Sequence, residues 1–236
     1  MIWVAVFAAT ILRSFTGFGF ALVAVPVLAL FMPPAEVVVL SSAMAFTLSL
    51  LSVPSFSSVV NFQEMKPLLL MSLIGTALAA WTVAWIPLDL FQLCVGVSVL
   101  IACVGIVLSR PEKPIRRKSL PWLAGLLSGA MNGAIAIPGP PIIIYAMLTE
   151  FDPVRSRAML MAFFLASSGF ALLSYTAAGI VELQSVKYYL FTVPVLFVGD
   201  RLGHRLFDRY GRALYRKVAI FALAALGVSI TLKALL

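Results

Sequence analysis

The run Gly133-Ala-Ile-Ala-Ile-Pro138-Gly-Pro-Pro141 lies in the middle of an apolar stretch covering residues 120–148. Glycine costs a helix interior about 1 kcal/mol relative to alanine, and proline about 3 kcal/mol. Two adjacent prolines also remove two backbone donors. The stretch is longer than the ~20 residues that cross a ~30 Å hydrocarbon layer, and a continuous helix through 138–141 is disfavoured. It reads as two half-helices around a break. A second such stretch opens the chain. Residues 1–32 are apolar apart from Arg13 and the break-forming run Gly17-Phe18-Gly19.

Between and after these stretches lie six further apolar segments, near 35–60, 67–87, 90–109, 157–180, 186–203 and 218–236, each close to one membrane crossing. The order is a broken segment, three spans, the basic linker Arg110–Lys118, a second broken segment and three spans. This predicts an all-α polytopic membrane protein with two repeats, residues 1–109 and 120–236, joined by a linker at 110–119. Gly75 and Gly199 recur at equivalent points, fifteen residues before Leu90-Phe91 and Leu214-Tyr215.

Composition agrees. The chain is 62% hydrophobic and 11% charged, whereas a soluble domain carries about 25% charged residues. A core of this size cannot hide so much apolar surface from water, but lipid accepts it. The net charge of +8 sits in short segments between the spans, which excludes a folded basic face for nucleic acid. With one histidine, His204, a multi-histidine metal site is excluded, and neither metal nor cofactor is expected. Cys94 and Cys103 stand about 13 Å apart along one helix and read as packing residues. The first twelve residues lack the basic leading region of a cleavable signal.

Charge decides the topology. If all eight segments cross once, the basic residues divide eight against seven. If the two broken segments enter and leave on one side, they divide fourteen against Lys187 alone, Arg13 and Lys233 being left out of both tallies because they lie inside apolar segments. The second division obeys the positive-inside rule. It predicts inverted repeats in a bacterial inner membrane, with the linker and a loop at 201–217 in the cytoplasm and both termini in the periplasm. Inverted repeats with broken helices meeting at the midplane are a recurrent transporter design.

In such a design the second half-helix of each break aims its free N–H groups and positive dipole end at the midplane, which suits an anion. The polar and small residues near the breaks are Ser14, Thr16, Gly17 and Gly19 in the first, and Ser128, Asn132, Gly133 and Gly139 in the second. Gly125, Gly129 and Gly133 form a stripe that lets another helix approach closely. Arg13 follows twelve apolar residues and lies about 18 Å along the first helix. A charge at that depth is functional by default. With no carboxylate in a comparably apolar stretch, the expected counter-charge is a substrate anion. Asp200 and His204 share a helix face near the end of a span and are candidates for a gate or coupling site. Coupling to protons or sodium is compatible with this design.

Gly17-Phe-Gly-Phe20 followed by Val23-Ala-Val-Pro26-Val-Leu28 resembles the first signature of the sulfite exporter TauE/SafE family, also called the toluene-sulfonate uptake permease family. Gly129-Ala-Met-Asn-Gly133, Pro138-Gly-Pro-Pro141 and Tyr145 resemble its second, and the likeness covers essentially the whole chain. Phe20 and Pro138 stand where the family often has glycine. The resemblance implies transport of a small anion, sulfite or an organosulfonate such as sulfoacetate, and adds Tyr145 to the candidate substrate-binding residues. The alternatives are a passive anion channel or a carrier of another small carboxylate or inorganic anion. There is no nucleotide-binding loop to drive transport. Nor is there a histidine close to Ser128 for an intramembrane protease, so an enzyme is not expected. The two topologies part at one pair of positions. Single cysteines replacing Lys118 and Arg155 are expected to react with an impermeant thiol reagent from the same side of the membrane; labelling from opposite sides returns the eight-crossing alternative.

Overall fold

The computed structural model describes residues 2–108, 114–115 and 117–235, with the backbone alone for residues 2, 102–103, 106–108 and 211–235. Half of the linker at 110–119, residues 110–113 and 116, and the side chain of Cys103 therefore lie outside the described residues. All the regular structure described is helical: α1 Ile2–Thr16, α2 Phe20–Leu28, α3 Pro34–Leu51, α4 Val53–Phe56, α5 Phe62–Ala80, a 3-10 turn Val83–Trp85, α6 Leu88–Leu108, α7 Leu120–Ile135, α8 Gly139–Thr149, α9 Pro153–Ala177 and α10 Leu183–Leu235. Three stretches among the described residues, Pro34–Leu51, Phe62–Trp85 and Pro153–Ala177, are long and apolar enough to cross a membrane; Trp3–Thr16, Leu88–Ile101 and Gly139–Thr149 are shorter apolar helices.

Both breaks fall where the glycine and proline runs place them. The first separates α1 from α2 through Gly17 at φ 81° and Gly19 at φ 96°, left-handed conformations that a Cβ resists. The second follows α7, whose last turn ends on Ala136 at φ 55°, and α8 restarts with Pro140 and Pro141 in its first turn, where missing N–H groups cost least. The chain just before α7 is tied to the end of α8: the Ile115 N–H donates to the Leu148 carbonyl at 2.8 Å. The two ends of this broken segment thus lie at one face of the molecule.

The expected loop at 201–217 is not a loop. The seventh and eighth apolar segments belong to one helix, α10, of 53 residues. From Asp200 to Lys217 the chain holds no proline and two glycines among Arg, Leu and aromatic residues, so nothing local stops a helix. Surface charge moves a segment out of lipid without unwinding it. The second half therefore contains α9 and α10 in place of three separate spans. The periplasmic C-terminus, which required a turn within 201–217, loses its basis.

Helix pairs close on small residues. α7 lays Gly125, Gly129 and Gly133 against the backbone of α5, beside the carbonyls of Leu68, Ser72 and Thr76; Gly75 of α5 meets the backbone of α7 at Leu126 and Ala130. α10 lays Gly199 and Gly203 against α1 at Thr10, Ile11 and Ser14. α3 packs on α9, α10 on α3, and α5 on α9. In lipid, where apolar burial drives helix association weakly, such backbone approach is the main source of packing energy. Many large apolar side chains remain on the outside, Leu78, Trp85, Leu173 and Phe191 among them, as a lipid-facing surface allows. Gly129→Val pushes carbon into the Ser72 carbonyl and is expected to destabilise by about 1–3 kcal/mol, read as a lower melting temperature in detergent. Gly169→Ala, whose new carbon meets only a Phe46 ring atom at 3.4 Å, is expected to leave that temperature unchanged or slightly raised.

Candidate anion site at the helix breaks

The two breaks line one cavity. Phe18, Gly19 and Phe20–Leu22 form one wall, and Ala136, Pro138 and Gly139 form another. Arg13 and Asn132, from the last turns of α1 and α7, project into it. α3 contributes Ser41, Ser42 and Ser49, and α9 contributes Ser167 and Ser168. The Ser41 and Ser167 hydroxyls are buried and have no hydrogen-bond partner among the described residues. A buried hydroxyl without a partner is costly, by roughly 1–3 kcal/mol. The half-helix ends are unequal. α2 retains amide N–H groups at Phe20, Ala21 and Leu22. In α8, Pro140 and Pro141 have none, leaving Gly139 as the donor in the first turn.

Arg13 is 2% exposed and well bonded. One guanidinium nitrogen donates to the Leu48 carbonyl at 2.8 Å and the Ser52 hydroxyl at 2.7 Å; the other donates to Ser49 at 2.9 Å. It also has a carboxylate beside it, 3.9 Å away on Asp200. The expectation that Arg13 lacks a protein counter-charge is therefore wrong. Asp200 is buried rather than solvated at a helix end, because Gly199 and Gly203 let α10 lie directly against α1. Ser14 donates to Asp200 Oδ1 at 2.5 Å, and His204 Nδ1 stands 3.4 Å from the same oxygen. Arg157, at the start of α9, donates to the Ser14 carbonyl and stacks 4.0 Å over the Phe207 ring.

Asn132 makes the neutral counterpart on the other side of the cavity. Its amide donates to the Ser167 carbonyl at 2.7 Å and to Thr76 Oγ1 at 3.3 Å. The remaining expected site residues have structural surroundings. Thr16 bonds back to the Leu12 and Phe18 carbonyls and so shapes the first break. Gly17 allows the backbone to pass Arg157 of α9 rather than a ligand, and Gly133 packs on α5. Ser128 is buried and lies off the cavity. Tyr145 does not line this cavity; it lines a second, wider opening with Glu64, Arg117, Lys118, Glu150 and Arg155. Of the expected substrate-binding set, Arg13, Gly19, Asn132 and Gly139 meet in the cavity, while Ser14 stands behind it against Asp200.

Over residues 2–230 the sequence matches the sulfite exporter TauE/SafE family. The chain belongs to this family. That family is one of multi-pass membrane exporters, not of enzymes. A relative from Cupriavidus necator, described as a probable sulfite/organosulfonate exporter TauE, is 26% identical over 149 residues, 62% of this chain and 57% of the relative. The chain thus matches little more than half the length of that curated relative. No solved structure matches the chain. In this TauE/SafE member, Gly17–Phe20 spans the first break into the start of α2, and Pro138–Pro141 leads from the second break into the first turn of α8.

Several site residues carry no such run. The adjacent serines Ser41-Ser42 and Ser167-Ser168, each in the middle of an apolar span, were the available signal. Tyr175 and Thr76 gave none. Tyr175, wholly buried, donates to the Asn132 carbonyl at 2.7 Å and the Gly133 carbonyl at 3.1 Å in the last turn of α7; the Asn132 carbonyl also accepts from the Ala136 N–H. Tyr175→Phe is expected to destabilise by about 1–2 kcal/mol, seen as a lower melting temperature in detergent. An unchanged melting temperature removes Tyr175 from the support of the second break.

Proposed function

We propose that this protein is a secondary transporter of a small sulfur-containing anion, sulfite or an organosulfonate such as sulfoacetate, that alternates access around the cavity between the two breaks. One observation carries the reading: two helix breaks, a guanidinium and two unbonded hydroxyls line a single buried cavity. Such a lining can replace the hydration of a compact oxyanion, with donors from Arg13, from the α2 amides and from Ser41 and Ser167. The description of the Cupriavidus relative and the family membership point to the same class of anion.

The inverted-repeat reading, residues 1–109 against 120–236, draws support from the packing. Exchanging α1 with α7, α3 with α9 and α5 with α10 turns the α5–α7 pair into α10–α1, and the α10–α3 pair into α5–α9. Gly75-Thr76 then corresponds to Gly199-Asp200, and Thr76 meets Asn132 as Asp200 meets Arg13. Arg117, Lys118 and Arg155 share one opening, as a segment that enters and leaves on the same side requires. We place that opening in the cytoplasm and the N-terminus in the periplasm of a bacterial inner membrane, by the positive-inside rule.

Arg13→Gln keeps hydrogen bonding and removes the charge. It is expected to weaken binding of sulfite and sulfoacetate to the purified protein, measured by calorimetry, by about tenfold or more, since a charge-assisted hydrogen bond contributes about 1.5–3 kcal/mol. Asn132→Ala is expected to weaken it less, and Gly139→Ala to act through steric block of the backbone. Arg13→Gln that folds and binds both anions as tightly as the parent places the site elsewhere.

A further inference from the structure

We propose that Asp200 is the proton site of this transporter, and that each anion bound at Arg13 is accompanied by one proton taken up on the Asp200 carboxylate. The inference rests on the anion site proposed above and adds its coupling ion. The geometry that carries it is a competition for one cation. Arg13 faces the cavity, whereas Asp200 stands behind it, outside the lining, 3.9 Å from the guanidinium. While Asp200 is ionised, the charge of Arg13 is already compensated. An anion arriving from the cavity then places a second negative charge on the same guanidinium, in surroundings that screen it poorly. Protonating the carboxylate removes that repulsion and frees the charge of Arg13 for the guest. The step balances simply: a carboxylate and a proton give a carboxylic acid, with no other bond made or broken.

The surroundings suit a proton that comes and goes. Ser14 holds Asp200 Oδ1 at 2.5 Å, and its hydroxyl can donate to the carboxylate or accept from the acid. His204 Nδ1 lies 3.4 Å from the same oxygen, and Nε2 lies 3.4 Å from Ser55 Oγ. The His204 side chain is 22% exposed against 10% for Asp200, so it connects the buried carboxyl with the outside. The charged groups around Asp200 are few. α1 presents Arg13. α9 presents Arg157, held on the Ser14 carbonyl. α10 itself presents His204, with Arg201 and Arg205 exposed. α3 offers only serines here, its Glu36 lying in the first turn at the far end. α2 has no charged residue, and in α6 the charged residue is Asp89 in the exposed first turn. Under the inverted-repeat correspondence, the equivalent of Asp200 is Thr76, which cannot titrate, so the two halves supply one proton site.

The sign follows from linkage. The anion binds the protonated form better, so binding raises the affinity of Asp200 for its proton, is strongest at low pH and weakens as pH rises. For a monovalent anion the pair moves without net charge, in whichever direction the summed gradients set. The test is calorimetry of sulfoacetate binding to the purified full chain, in buffers of different ionisation enthalpy, between about pH 6 and 8. There free sulfoacetate, whose carboxylate has an ordinary pKa of about 4, carries no proton into the site, so a proton taken up comes from the buffer, and Asp200→Asn decides whether Asp200 or the guest carboxylate holds it. The expected result is net proton uptake on binding that grows as the pH is lowered, with an affinity that falls as the pH rises. Asp200→Asn is expected to take up none and to bind with an affinity flat across that range. Sulfoacetate binding by the parent without proton uptake overturns the proposal and leaves the anion site standing, as does an Asp200→Asn variant that still takes up the proton. If Asp200→Asn does not fold, His204→Gln decides: a retained proton supports Asp200, and a lost one assigns it to His204. If neither sulfoacetate nor sulfite binds the parent at all, the anion site falls, and this inference with it.

Discussion

A guanidinium buried among apolar helices must have its charge and its donors met, because an isolated ion in such surroundings costs far more than any single contact returns. Arg13 is that group here. Meeting it ties α1 to α3 through the Leu48 carbonyl and two serine hydroxyls, and to α10 through Asp200. It also stands in the last turn before the first break, where the chain must turn away into α2. The position of that break, the seating of α10 and the polar wall of the cavity are thus fixed together by one charge.

Close backbone packing makes this possible. Asp200 reaches Arg13 and Ser14 because Gly199 and Gly203 leave no side chain between α10 and α1. Asn132 reaches Thr76 because Gly129 and Gly133 do the same between α7 and α5. Each break is therefore flanked by a polar contact that depends on glycine spacing one or two turns away. The cavity between the breaks inherits an asymmetry from these contacts: a charged side at Arg13 and a neutral one at Asn132. The proline pair in α8 sharpens it, since the amide donors of the first turn are retained mainly on α2, in the same half as Arg13.

The buried hydroxyls complete the cavity. Ser49 and Ser52 are spent on Arg13, whereas Ser41 and Ser167 keep unused bonding capacity on opposing helices. A hydroxyl in that state is tolerated where a guest with several acceptor oxygens completes its bonding. Arg157 plays a different part. Bonded to the Ser14 carbonyl and stacked on Phe207, it braces α1, α9 and α10 together beside the site.

The membrane class, the all-helical fold and the two breaks were legible in the sequence, because each depends on local quantities. Apolar run length sets what lipid accepts, and Gly17, Gly19 and Pro138–Pro141 set where a helix cannot continue. Arg13, Asn132, Gly19 and Gly139 could be placed near the cavity because they adjoin those breaks. Only the tertiary structure brought Asp200 to Ser14 across 186 residues, moved Tyr145 to a separate opening and drew Ser41 and Ser167 into the lining. The continuity of α10 through its basic stretch was hidden for a related reason: charge density marks where a chain leaves lipid, whereas helix ends depend on backbone breakers that this stretch lacks. Local backbone energies are written residue by residue, but which polar groups satisfy one another in a low-dielectric interior is decided only when distant helices pack.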